Sequence, residues 1–180
     1  MGLKGKLIAS IEVKCGGHLM HDLLHTNSHH IANISQHVNR FQIHEGESVK
    51  VGSIVSWSYN EAGQKKFIKQ VIEAIDPYKK SICWKVIEGD VLEMYSSFTI
   101  ITSHEPQWAI WTLDYEKKTE DIPEPLSFLG HILGVIKDME ELYLELPLNL
   151  YDSSATLTSH YILHNLIPTA TILREKNIIR

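Results

Sequence analysis

Histidine is the reactive residue type in excess, with 11 in a chain of 180. His18, His21 and His25 recur at three- and four-residue spacing, so on a helix they share one face, as a metal site requires. Leu19, Met20, Leu23 and Leu24 fall on the opposite face. A short helix divided in that way buries its leucines, which leaves the three histidines expected in water and without a metal. His131 stands at the margin of another apolar helical stripe. Because imidazole titrates near neutral pH, a histidine there is a candidate acid/base, with a half-exposed helix residue as the plain alternative. The glycine-bearing run at residues 45–53 lacks the spacing of a nucleotide loop and is followed by no helix, so it reads as a tight strand connection. Cys15 and Cys83 match neither a disulfide framework nor a metal pair and read as free thiols.

The elements that must position these groups are mostly strands. Leu7, Ala9, Ile11 and Val13 alternate with Lys6, Ser10, Glu12 and Lys14, the pattern of a half-buried strand. Two short helices are predicted near residues 18–25 and 28–35, the second opened by Asn27 or Ser28 as its cap. Strand-like runs follow at residues 41–44, 52–59, 65–75, 81–87, 93–102 and 107–116, separated by turn residues such as Asn60-Glu61-Ala62-Gly63 and Asp76-Pro77. Short connections make antiparallel neighbours. Beyond Pro123 and Pro125 the period changes: Leu126, Leu129, Ile132, Leu133, Ile136, Met139 and Tyr143 mark a helix of about 20 residues. The expected fold is α+β, a curved seven-stranded antiparallel sheet wrapped around one long C-terminal helix, with the two short helices closing an internal pocket.

Strand parity then nominates the pocket's walls. Ile82, Trp84 and Val86 share one face of their strand, as do Val55, Trp57 and Tyr59, then Ile68, Gln70, Ile72 and Ala74, and finally Ala109, Trp111, Leu113 and Tyr115. With these faces inward, three tryptophans and two tyrosines line or border the cavity as an aromatic box for a flat polycyclic ligand, or else serve as ordinary sheet core. Gln70 is placed to orient a ligand oxygen. Glu73 and Lys85 fall on the outward parity. The formal charge of -5 offers no basic surplus for nucleic acid or an anionic membrane, and no run approaches the roughly 20 apolar residues of a membrane span. A cytoplasmic protein is expected.

Several motifs occur in order. The run Gly2-Leu3-Lys4-Gly5-Lys6-Leu7, the segment His44-Glu45-Gly46-Glu47 followed by Val51-Gly52-Ser53, the stretch Val71-Ile72-Glu73-Ala74-Ile75-Asp76, and Lys85-Val86-Ile87-Glu88-Gly89-Asp90 with Tyr95 and Phe98 are the first of them. Asp114-Tyr115-Glu116-Lys117 and Glu120-Asp121-Ile122-Pro123-Glu124-Pro125 complete the set. Together they resemble the major latex protein branch of the birch-pollen-allergen superfamily, the pathogenesis-related class ten proteins of START-like helix-grip fold. The resemblance runs to about residue 145. Ser48-Val49-Lys50 stands where the family's loop usually carries another glycine, and the chain continues past the family's usual end. A helix-grip domain at 1–146 and a C-terminal extension at 147–180 follow. Leu148, Leu150, Tyr151, Leu157, Tyr161, Ile162, Leu163, Leu166 and Ile167 make that extension apolar, so docking on its own domain, adding a strand to a neighbour, or remaining unstructured all stay open.

The resemblance implies a hydrophobic plant metabolite in the cavity, with no cofactor and with a homodimer left open. It also places Tyr95 at a cavity-lining position. The superfamily includes alkaloid-pathway enzymes such as norcoclaurine and thebaine synthases and the neopinone isomerase of latex. Moving a double bond into conjugation with a ketone requires one group to take a proton beside the carbonyl and another to steady the dienolate oxygen. His131 and Tyr95 are the candidates for those roles. A cofactor-independent isomerase acting on a benzylisoquinoline-derived alkaloid is the most concrete reading, and a non-catalytic carrier or store of hydrophobic metabolites, in latex or in defence, is the alternative.

Overall fold

The structure is a computed structural model that describes residues 3–144, so the expected extension lies outside the described residues. Seven strands make one antiparallel sheet: β1 (Lys4–Glu12), β2 (Val38–Glu45), β3 (Ile54–Glu61), β4 (Gln64–Asp76), β5 (Ser81–Gly89), β6 (Tyr95–Glu105) and β7 (Trp108–Lys117). Their order across the sheet is β1-β7-β6-β5-β4-β3-β2, a meander from β2 to β7 with the first strand added at the far edge. The helices are α1 (Gly17–His25), α2 (Ser28–Ile34), α3 (Val91–Met94) and α4 (Leu126–Leu144). This is the expected α+β helix-grip architecture, with α3 as an addition. That single turn follows Asp90, whose carboxylate accepts from the Phe67 amide, and it is too short for any periodicity to announce it.

Alternation holds where the ladders are regular. In β1, Leu7, Ala9 and Ile11 are less exposed than their neighbours, opposite Leu113, Trp111 and Ala109 of β7. In β4 it fails once. A bulge sets Ile72 opposite Trp84 but Ala74 opposite Cys83, so the extra residue reverses parity and Ala74 is exposed instead of inward. Glu73 and Lys85 stay outside, paired at 3.1 Å. At the end of β5 the strand passes so close to β4 that a Cβ on Gly89, at φ 131°, would lie 2.4 Å from the Phe67 carbonyl oxygen.

The long helix turns in part of the expected stripe, Ile132, Ile136 and Met139, and adds Phe128 and Val135 to it. Leu126 is instead 62% exposed and Leu133 also faces out. The two are leucines with the same spacing as the core, and only the concave sheet decides which face turns in. The α2–β2 junction fastens to α4 through Asp138, which is buried and accepts from the Ser35 hydroxyl at 2.8 Å and the Gln36 amide at 3.1 Å. The short helices thus close the open side of the curved sheet.

Candidate functional site

Between the sheet's concave face and α4 lies a cavity of about 70 Å³, lined from the sheet by Trp57, Tyr59, Gln70, Trp84, Ile100 and Trp111. Phe128, His131, Ile132 and Val135 enclose it from α4, and Leu24, Ile31 and Val38 from the short helices and the start of β2. Of the parity-selected residues, Trp57, Tyr59, Gln70, Trp84 and Trp111 meet here. Ile68, Ile72, Ile82, Val86 and Tyr115 are buried but do not line this space. Around them the inner face is already filled by neighbouring side chains; Tyr115, for example, packs on the rings of Tyr95 at 5.4 Å and Phe98 at 6.1 Å. The cavity is also smaller than the several hundred Å³ typical of a drug-sized pocket, so a polycyclic ligand requires the wall to give.

Phe128 is the principal wall residue that the sequence reading passed over. Its position one helical turn before His131 was the available signal. Leu24 and Ile31 follow from the apolar faces of the two short helices.

His131 Nδ1 lies 3.1 Å from the Asn60 carbonyl oxygen. A carbonyl only accepts, so Nδ1 carries the hydrogen and Nε2 is the unprotonated nitrogen. Burial, opposed by that hydrogen bond, lowers the imidazole pKa to about 4, which keeps the ring neutral around neutral pH. The Tyr59 ring lies over it with centroids 4.6 Å apart, Phe128 stands at 6.0 Å, and His37 meets it edge-on at 6.0 Å. The Tyr59 hydroxyl and the Trp111 indole N–H are buried without a hydrogen-bond partner. Burial first, then the charges of Glu61 and Asp90, raises the tyrosine's pKa, so it remains a donor. Trp84, by contrast, donates to the Thr102 hydroxyl at 3.3 Å.

Tyr95 lies elsewhere. Its hydroxyl donates to the Pro123 carbonyl at 2.7 Å, and its side chain borders a second pocket of about 100 Å³ with Glu61, Lys66, Asp90 and Glu124. Burial and the charges of Glu124 and Glu61 raise its pKa. Tyr95 and His131 are therefore not brought together in one space, although Phe128 lines both pockets. The spacing of tyrosine and histidine in the chain carries no information about that partition.

The helical histidines also depart from expectation. His21 is buried, not solvated, because α1 turns that face onto β6, where the His21 and His104 rings are 5.8 Å apart. Burial lowers both pKa values, to about 4 for His104. Among the described residues no group of three or more His, Cys, Asp or Glu is placed to hold a metal ion. Both cysteines are free; burial and the charge of Glu140 push the Cys15 thiol up to about 12. The loop at residues 45–53 closes on itself through Ser53, whose hydroxyl donates to the Ser48 carbonyl at 2.8 Å and accepts from the Lys50 amide at 3.3 Å. Among the described residues no helix is long and apolar enough to cross a membrane.

The sequence profile of the pathogenesis-related protein Bet v 1 family matches residues 2–145. MLP-like protein 31 of Arabidopsis thaliana is 35% identical over 146 residues, which are 77% of this chain and 85% of that protein. The crystal structure of ginseng major latex-like protein 151 from Panax ginseng superposes with a TM-score of 0.76 at 37% identity, covering 81% of this chain and 100% of that one. Norcoclaurine synthase from Thalictrum flavum, in complex with dopamine and hydroxybenzaldehyde, superposes at 0.63 over 80% of this chain and 88% of that one, but at 16% identity it shares the fold alone. With a profile match over its described body and a relative of this identity over most of both chains, the chain belongs to the Bet v 1 family, in its major latex protein branch.

Proposed function

We propose that the chain binds a hydrophobic small molecule in the cavity between the sheet and α4. One observation carries the reading: a cavity in a ligand-binding fold, walled by Trp57, Tyr59, Trp84, Trp111 and Phe128, with Gln70 and His131 also lining it. An apolar wall with a few placed polar groups is the common form of a small-molecule site. The test is titration with a neutral polycyclic dye. Saturation near one per chain with quenching of tryptophan emission is the expected result, since three of the four tryptophans wall the cavity. Saturable binding that leaves tryptophan emission unchanged would place the ligand elsewhere.

A second reading, catalysis, is favoured by the state of His131. A neutral imidazole whose Nδ1 hydrogen is engaged by Asn60 holds Nε2 ready to take a proton, as isomerisation of a β,γ-unsaturated ketone requires. The proton removed beside the carbonyl would return at the far end of the dienolate, moving the double bond without a cofactor. Tyr59, on the His131 ring with an unpartnered hydroxyl, is better placed than Tyr95 to steady the oxygen. Loss of a positioned acid or base costs on the order of 100- to 10,000-fold in rate. His131→Ala and Tyr59→Phe are thus expected to depress turnover more than affinity, and Tyr95→Phe to have the smaller effect. In deuterated water, label at carbon would report exchange of the abstracted proton with solvent and its absence a direct return by the same base. Undiminished turnover in both His131→Ala and Tyr59→Phe would remove these assignments, and a ligand returned unchanged would leave the carrier reading alone.

A further inference from the structure

The polar atoms of the cavity wall are unequally provided for. Trp84 has its acceptor in Thr102, and His131 has one in Asn60. Tyr59 on β3 and Trp111 on β7 have none, although both atoms are out of reach of water. An indole N–H only donates, and burial keeps the Tyr59 phenol protonated, so both are donors. Leaving a buried donor unpaired is costly, and each such group calls for an explanation. The two lie on opposite flanks of the concave sheet, with β4, β5 and β6 between their strands.

Charge is absent from the same wall. Among the described residues no carboxylate, lysine or arginine lines the cavity. The two carboxylates whose charges bear on Tyr59, Glu61 and Asp90, line the second pocket instead. A protonated amine would therefore lose its water in the cavity without a counter-charge, and a carboxylate would find no cation.

We propose that the cavity selects an uncharged hydrocarbon skeleton bearing an acceptor oxygen, of the ketone or ether class, which the Tyr59 hydroxyl or the Trp111 indole N–H takes. The inference rests on the cavity being the ligand site. It also means that an alkaloid would enter as its free base, with its oxygen and not its nitrogen recognised by the protein.

Three probes of one shape separate these statements: indane, 1-indanone and 1-aminoindane. Binding of the two neutral probes is measured by headspace partitioning and that of the amine by equilibrium dialysis near neutral pH, for the parent protein and for Tyr59→Phe, Trp111→Phe and the double variant. The single variant that removes the engaged donor should weaken 1-indanone a few-fold, the other single variant should change it little, and the double variant should weaken it up to about tenfold. Indane affinity should hold or rise in every variant, which accounts for any change in cavity size. The carbonyl stretch of bound 1-indanone should lie below its value in hexane in the parent and return toward it in the double variant. Equal losses for indane and 1-indanone, or no loss for either, would overturn the donor assignment while leaving the cavity reading intact. Tighter binding of 1-aminoindane than of 1-indanone would overturn the preference for an uncharged ligand. Failure of the parent to bind either neutral probe would remove the cavity as a ligand site, and this inference with it.

Discussion

His104 on β6 and His131 on α4 are kept neutral, each held by burial at a pKa of about 4 against an ordinary value of 6.5. The unfolded chain takes up those protons at higher pH than the folded one, so stability is complete above about pH 6.5 and falls as pH drops toward 4. The two shifts amount to roughly 3 kcal/mol each at the acid end. His104 Nδ1 lies 3.4 Å from the Lys80 carbonyl oxygen, as His131 Nδ1 does from that of Asn60 at 3.1 Å. Urea midpoints measured from neutral to acid pH should fall in the parent and fall less in His104→Asn and His131→Asn, whose side-chain amides can still donate to those carbonyls. Parallel profiles would mean that other groups carry the acid sensitivity. Gly89→Ala tests a backbone contact in the same units: its Cβ would strike the Phe67 carbonyl at a positive φ, for a loss of about 2–4 kcal/mol in denaturant unfolding. At this scale the sequence was informative where side chains alternate. Trp57, Tyr59, Gln70, Trp84 and Trp111 were legible because a strand's period of two leaves each residue only one of two faces. His21 was not, since both faces of a nine-residue helix were candidates and the sheet residue that decided, His104, lies 83 positions away.

The strands, the long helix and the middle of its buried stripe were readable from period and punctuation, whereas the bulge in β4, the turn of α3 and the edges of the α4 stripe were not. Each of these depends on a partner: the register against β5, the Asp90 contact with the Phe67 amide, and the concavity of the sheet. Phe128 shows what such a misreading conceals, because the side chain that turns inward from α4 is the common wall of the two pockets. Truncating it should join them. Phe128→Ala is expected to bind a larger polycyclic dye more tightly than the parent does, while losing about 3–5 kcal/mol of stability through the lost packing. The paired measurement is dye affinity beside the urea midpoint. Unchanged affinity together with the stability loss would mean that the two spaces stay separate after truncation.

For the whole molecule, the strand order has its own consequence. β2 to β7 follow one another as neighbours, but β1, the first described strand, pairs with β7, the last described one, and Leu7 lies opposite Leu113. Loop closure over that distance is slow compared with closing a hairpin, so the meander should assemble before its N-terminal neighbour arrives. On a ribosome β1 would leave the tunnel first and wait for more than a hundred residues to follow. Until it docks, β7 has an unpaired edge that can recruit a strand from another chain. Pulse-labelled hydrogen exchange during refolding should find the amides of the β3–β4 hairpin protected earlier than those joining β1 to β7, and early protection of β1 would refute that order. If the order holds, excess synthetic peptide spanning residues 3–13 should suppress aggregation during refolding by covering the nascent edge. The last pairing to form would then set the yield of folded protein.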